Sequence, residues 1–203
     1  MSNAPEPTPL PSARPRHALH ERVAAAILEA AARVLAVAGE QASMNDVAAA
    51  AGVARATLYR YFPSRQALLG ELARVAAEEA GGRLASARIE QVAAEEGIRR
   101  AVRALIEVGD PFVVVARERV QPDPERFEAL VLEPLRRLFA AGQRAGNIRD
   151  DIPSSWLTDA LVGLVVSVLP SRPLLGREDT IAALSSLFLE GARSRPTLVA
   201  AEA

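Results

Sequence analysis

The chain has 203 residues, half of them hydrophobic, with no cysteine and a formal net charge of -1 at pH 7. That length accommodates one large helical unit or a small domain fused to a larger one; the apolar content excludes wholesale disorder, and the missing cysteines exclude disulfides and thiolate metal sites, as suits the cytoplasm. The near-neutral total hides an asymmetry: residues 1–70 hold seven Arg against five acids, and no acid lies between Asp46 and Glu71, the interval that contains Arg55, Arg60 and Arg65.

Residues 1–19 are rich in Pro, Ser and Ala and lack the apolar centre of a secretory signal, so they read as a disordered tail. Arg14 and Arg16 in this tail offer a minor-groove or phosphate contact from a flexible arm; the alternative is an idle tail. The first helix is expected from His20 to Ala38, where Val23, Ile27, Val34 and Ala38 recur at helical spacing. Gly39 stops it. Ser43 and Asp46 form a capping-box pattern, with Asp in place of Glu, that starts a short helix with Val47, Ala48 and Ala51 inward. Gly52 breaks that helix, and a third runs from Ala54 to Phe62, ended by Pro63. Two short helices about a tight glycine turn make a helix-turn-helix candidate; bundles that never touch DNA show the same topology.

At about 100° per residue, Leu58 and Phe62 share an inward face of the third helix. Arg60 and Ala56 lie opposite, and Arg55, Thr57 and Tyr59 occupy the flanks. Arginine reads guanine edges bidentately, while hydroxyl groups bond phosphate oxygens. The competing reading makes Tyr59 and Tyr61 packing residues with wet tips.

The run from Ser43 to Leu69 resembles the DNA-binding signature of the tetracycline-repressor (TetR) family, with Ala51-Gly52-Val53, Thr57-Leu58-Tyr59 and Tyr61-Phe62-Pro63 in order and without a gap. The resemblance implies an all-α fold: a three-helix DNA-binding head over 20–66, a connecting helix over 67–82 and a ligand-binding, dimerising body over 83–203. It implies that Arg55, Ala56 and Tyr59 approach base edges and that Thr57, Tyr61 and Arg65 hold phosphates. Ser43 would start the helix that abuts the DNA backbone, and Arg60 would serve either role. It further implies a homodimer on a pseudo-palindromic double-stranded operator, released by a small-molecule effector. Ala54 departs from the pattern, since a capping serine is common there; its loss costs about 1 kcal/mol locally.

Beyond Arg65 a fourth helix is expected to reach Ala80 and end at Gly81-Gly82, followed by helices near 85–109, 111–120, 123–145, 154–169 and 178–194. Asp110-Pro111 and Pro122-Asp123-Pro124 mark breaks, and Pro134 should kink the 123–145 helix. Val102, Ile106, Phe112, Val115, Phe127, Val131 and Trp156 are candidates for the lining of an apolar pocket, or plain core. Arg103, Glu107, Arg117 and Asp159 are candidates to orient a polar ligand, or surface charges. The 161–169 segment is apolar almost all round. The family resemblance makes Leu161, Leu164, Val168, Leu184 and Phe188 a four-helix dimer contact, against the alternative of core within one subunit.

Rival classes have less behind them. Both histidines, His17 and His20, sit at the tail, and no phosphate-binding or dinucleotide glycine pattern occurs, so neither a catalytic residue, a metal nor a cofactor is expected. The 160–171 stretch is too short to cross a bilayer, and no membrane association is expected. The functional alternative is a helical adaptor without DNA binding, and the basic outward face at 55–65 argues against it.

Overall fold

The computed structural model describes the backbone of residues 14–120, 123–169 and 175–193. Within them the regular structure is helical: α1 (Arg14–Ala38), α2 (Met44–Ala50), α3 (Arg55–Tyr61), α4 (Arg65–Ser86), α5 (Ala94–Ile106), α6 (Asp110–Arg117), α7 (Pro124–Phe127), α8 (Glu133–Arg144), α9 (Ser154–Val168) and α10 (Arg177–Ala192). The first thirteen residues of the expected tail lie outside the described residues, as do Pro122 and the side chains of Arg14 and Arg16. The backbone is already helical from Arg14, ahead of the expected start at His20. Pro15 falls in the first turn, where its missing N–H breaks no helical bond.

Gly81 and Gly82 do not end α4, which continues to Ser86. A Cβ on Gly81 would stand 2.9 Å from the Leu130 Cβ and 3.1 Å from the Leu130 carbonyl oxygen. Gly81 is therefore a close-approach residue. The chain turns instead at Arg88, which adopts a left-handed conformation with φ 50°, so the expected 85–109 helix is divided by a short turn at Ile89–Gln91 and begins only at Ala94.

Where Pro134 was expected to kink a single 123–145 helix, the segment is instead divided into α7, a π-type turn and α8, with Pro134 in the first turn of α8. The proline has no N–H for the carbonyl of Leu130, and its ring crowds that carbonyl. The backbone responds with a widened π-type turn over Glu128–Leu132 between α7 and α8. This wider turn carries Leu130 against α4, and the bare Cα of Gly81 makes the room.

Two clusters of buried side chains hold the fold together. One contains Ile27, Leu35, Val47, Leu58, Leu68 and Leu72; the other contains Leu84, Ile98, Leu105, Leu135, Phe139 and Leu161. The long α4 runs through both, its Leu68 and Leu72 in the first and its Ala76, Ala80 and Leu84 in the second. The short α6 does the same across two residues: Phe112 is buried in the second cluster and Val114 in the first. Burying a valine contributes about 1.5–3 kcal/mol, so Val114 keys α6 into the helix-turn-helix unit.

Candidate nucleic-acid interface

Ser43 and Asp46 set the start of α2. The Asp46 N–H donates to Ser43 Oγ at 3.2 Å, and the Ser43 N–H and hydroxyl donate to Asp46 Oδ2 at 2.8 and 2.7 Å. These bonds hold the Asp46 carboxyl below the usual range, the Ser43 side chain contributing most. Gly52, with φ +66°, makes the left-handed turn that ends α2. The Val53 N–H then returns to the Ala48 carbonyl at 3.0 Å.

α3 leaves Ala54 without a side-chain cap, as the missing serine requires. Leu58 and Phe62 are buried beneath it, and Arg55, Ala56 and Arg60 are exposed. Thr57, Tyr59 and Tyr61 are half-buried. The Arg55 guanidinium stands 5.4 Å from the centroid of the Tyr59 ring, and Arg60 stands 5.6 Å from that of Tyr61. Tyr61 also stacks on His20 of α1, with centroids 4.3 Å apart. Cation–π contact and stacking hold two cations and two phenols on one outward surface. Among the candidate reading residues, Arg55, Ala56, Thr57, Tyr59, Arg60 and Tyr61 thus share the α3 helix, with Ser43 at the exposed start of α2.

Arg65 is placed differently from the phosphate contact expected of it. Its guanidinium turns back under the unit, donating to the Ala42 carbonyl at 2.5 Å and the Gly39 carbonyl at 3.1 Å. It also donates to both carboxylate oxygens of Glu118 at 3.1 Å. Glu118, just past α6, is only 7 % exposed, against 31 % for Arg65. A buried carboxylate and two carbonyls satisfy the cation from within, because leaving that carboxylate unpaired would be costly. Its neighbour Arg117, a candidate ligand contact, instead donates to the Ala36 and Val37 carbonyls at the end of α1. The end of α6 thereby grips the α1–α2 corner. Sequence reasoning missed Glu118, whose partner is 53 positions away; the only local sign is the charged run Arg117-Glu118-Arg119 after an apolar helix.

The pocket candidates divide. Val102, Ile106, Phe112 and Val131 are buried in the second cluster, and Val115 and Phe127 pack on it. Trp156 does not join them: it is 71 % exposed on the outer face of α9. Arg103 pairs with Glu178 at 2.7 Å, which accounts for it as a link between α5 and α10.

The interface candidates are also rearranged. Leu161 and Leu184 are buried within the subunit, and Leu164, Val168 and Phe188 pack against the same cluster, Phe188 with its ring 5.7 Å from that of Phe139. The apolar surface left open is the opposite face. It carries Trp156, Ala160 and Gly163 on α9 and Ala183, Leu187 and Gly191 on α10, with Leu187 63 % exposed. A Cβ at Gly163 or Gly191 would meet nothing within 4 Å.

Among the described residues, no group of His, Asp and Glu is gathered to hold a metal ion, and no helix is long and apolar enough to cross a membrane.

Comparison with known proteins follows the same lines. Residues 27–72 match the family model described as bacterial regulatory proteins, tetR family. The HTH-type transcriptional repressor LfrR of Mycolicibacterium smegmatis is 30 % identical over 177 residues, covering 75 % of this chain and 93 % of the relative. The crystal structure of LfrR in complex with proflavine superposes with a TM-score of 0.66 at 28 % identity, covering 84 % of this chain and 96 % of that one. A TetR transcriptional regulator of Streptomyces coelicolor matches with a TM-score of 0.57 at 29 % identity, over 84 % and 98 % of the two chains.

Proposed function

The chain belongs to the TetR family of bacterial regulatory proteins, and from that premise we propose that it is a dimeric repressor that releases its operator when a small apolar or amphipathic molecule binds. It is a transcriptional regulator and not an enzyme. The observation that carries the DNA-binding part of this reading is the α3 surface. Arg55, Ala56 and Arg60 are exposed together on a segment without acids, and a small residue between two arginines permits close approach to base edges.

In this reading residues 20–66 form the head, 67–82 the connecting helix and 83–203 the body, working on DNA in the cytoplasm. Arg55, Ala56 and Tyr59 face bases; Thr57 and Tyr61 face phosphates, the start of α2 at Ser43 abuts the DNA backbone, and Arg60 serves either. Arg65 belongs to the joint with α6. The open apolar face of α9 and α10, which exposes Trp156 and Leu187, forms the homodimer contact. The effector enters among Val102, Ile106, Phe112, Val115, Phe127 and Val131. LfrR is named a repressor and is known in complex with proflavine, which supports release by a small molecule.

Fluorescence anisotropy on the neighbouring intergenic DNA tests the proposal. A saturable complex of one or more dimers on a pseudo-palindrome, dissolved by an added hydrophobic effector, is the expected result. Binding that ignores sequence at every salt concentration would leave the helical adaptor standing instead.

A further inference from the structure

A cleft of about 650 Å³ opens between α1, α4 and the start of α6. Its floor is apolar, built from Ala24, Ala25, Leu28, Ala32, Val75 and Val108. The alanines explain why it is open: they recur on one side of α1, and their short side chains leave space that larger residues would fill. The volume falls in the range of small-molecule sites, about 300–1,000 Å³.

The rim is charged, and unequally. Glu21, Glu29, Glu71, Glu79 and Asp110 share it with Arg33 and Arg74, five carboxylates against two guanidiniums. Both guanidiniums are engaged: Arg33 with Glu29 at 2.5 Å, and Arg74 with Glu71 at 2.5 Å and Glu78 at 2.6 Å. Glu79 is held at 2.8 Å by Arg83 from outside the cleft. Glu21 meets the imidazole of His17 at 3.6 Å, and neither it nor Asp110 has an arginine partner among the described residues.

We propose that this cleft binds an amphipathic organic cation, its apolar body on the alanine floor and its charge toward Glu21 and Asp110. An apolar solute gains about 25 cal/mol for each Å² it buries, and a cation gains in addition from carboxylates set beside low-dielectric walls. An anion meets repulsion at the same rim. The site also has a lever. One wall, α1, belongs to the first buried cluster, and Val108 belongs to the second. An occupant therefore touches both sides of the joint that positions α3, and it shifts operator affinity by its preference between joint geometries.

The cleft's affinity is measurable without DNA, so it stands apart from the repressor reading. Isothermal titration calorimetry of the full chain uses tetraphenylphosphonium as the cation and triphenylphosphine oxide as its neutral counterpart. The expected result is one phosphonium per chain, with the phosphine oxide at least about tenfold weaker. Glu21→Gln with Asp110→Asn, a pair of conservative surface changes, weakens the phosphonium about tenfold and leaves the phosphine oxide unchanged. Ala25→Trp, at an exposed position of α1, fills the floor and removes both. Equal affinities for the two compounds, or phosphonium binding untouched by both variants, would overturn the proposal. Anisotropy with operator DNA then reads the coupling: binding that leaves operator affinity constant retains the site and strips it of any effector role.

Discussion

Two arginines ten positions apart show how little a residue type says before its surroundings are known. Arg55 is exposed over the Tyr59 ring, while Arg65 is bound to two carbonyls and a buried carboxylate. Arg55→Ala should cost about 1–3 kcal/mol of operator binding and relax preference at one base position. Titration of operators varied one base pair at a time checks this, and equal loss on every sequence refutes base reading by Arg55. Arg65→Ala should lower stability by about 1–3 kcal/mol in urea unfolding, because it leaves the Glu118 carboxylate without its hydrogen-bond donors. The salt dependence of operator binding should keep its slope. A slope reduced by about one unit would return Arg65 to the DNA phosphates. The outward set on α3 was legible from helical angles alone; the inward turn of Arg65 was not, since its partner Glu118 is remote in sequence.

Within α4, adjacent glycines separate local propensity from packing. Gly82 is exposed, and a Cβ there meets nothing within 4 Å; at Gly81 it meets Leu130 at 2.9 Å. Gly82→Ala should therefore stabilise the protein by up to about 1 kcal/mol through helix propensity. Gly81→Ala should destabilise it by about 1–3 kcal/mol, overpacking against the widened turn that Pro134 imposes. Chemical unfolding of the two variants decides, and shifts of the same sign would refute the contact. Pro134 was readable because proline acts on its own helix. Gly81 looked like a stop because a glycine pair carries no mark of what lies opposite it.

In the dimer we propose, subunit association would use the faces of α9 and α10 that the single chain leaves uncovered. Leu187→Arg should yield a folded monomer whose operator affinity collapses, because one head lacks the effective concentration that a linked pair supplies. Leu184→Arg places the charge in the subunit's own core and should unfold the chain. Sedimentation velocity with far-ultraviolet circular dichroism distinguishes these outcomes. A dimer that survives Leu187→Arg would move the interface elsewhere. At this same scale α6 joins the two halves: Val114 is buried in the first cluster, and Arg117 and Glu118 hold the α1–α2 corner.

Much of what neighbours a few residues away govern was readable along the chain, although the local break at Arg88 was not. The Ser43–Asp46 cap, the Gly52 turn, the inward Leu58 and Phe62 and the outward Arg55 and Arg60 all follow from bonds and angles within two helical turns. These were enough for the all-α class and for the outward face of α3 proposed to read DNA. Tertiary structure alone decided which face of an all-round apolar helix is core, sending Leu161 inward and Trp156 outward. It also decided that Gly81 is a contact and that Arg65 is part of a joint. Burial and long-range ion pairing depend on what the other elements bring to the same place, and a periodic pattern along one helix contains no information about its partner.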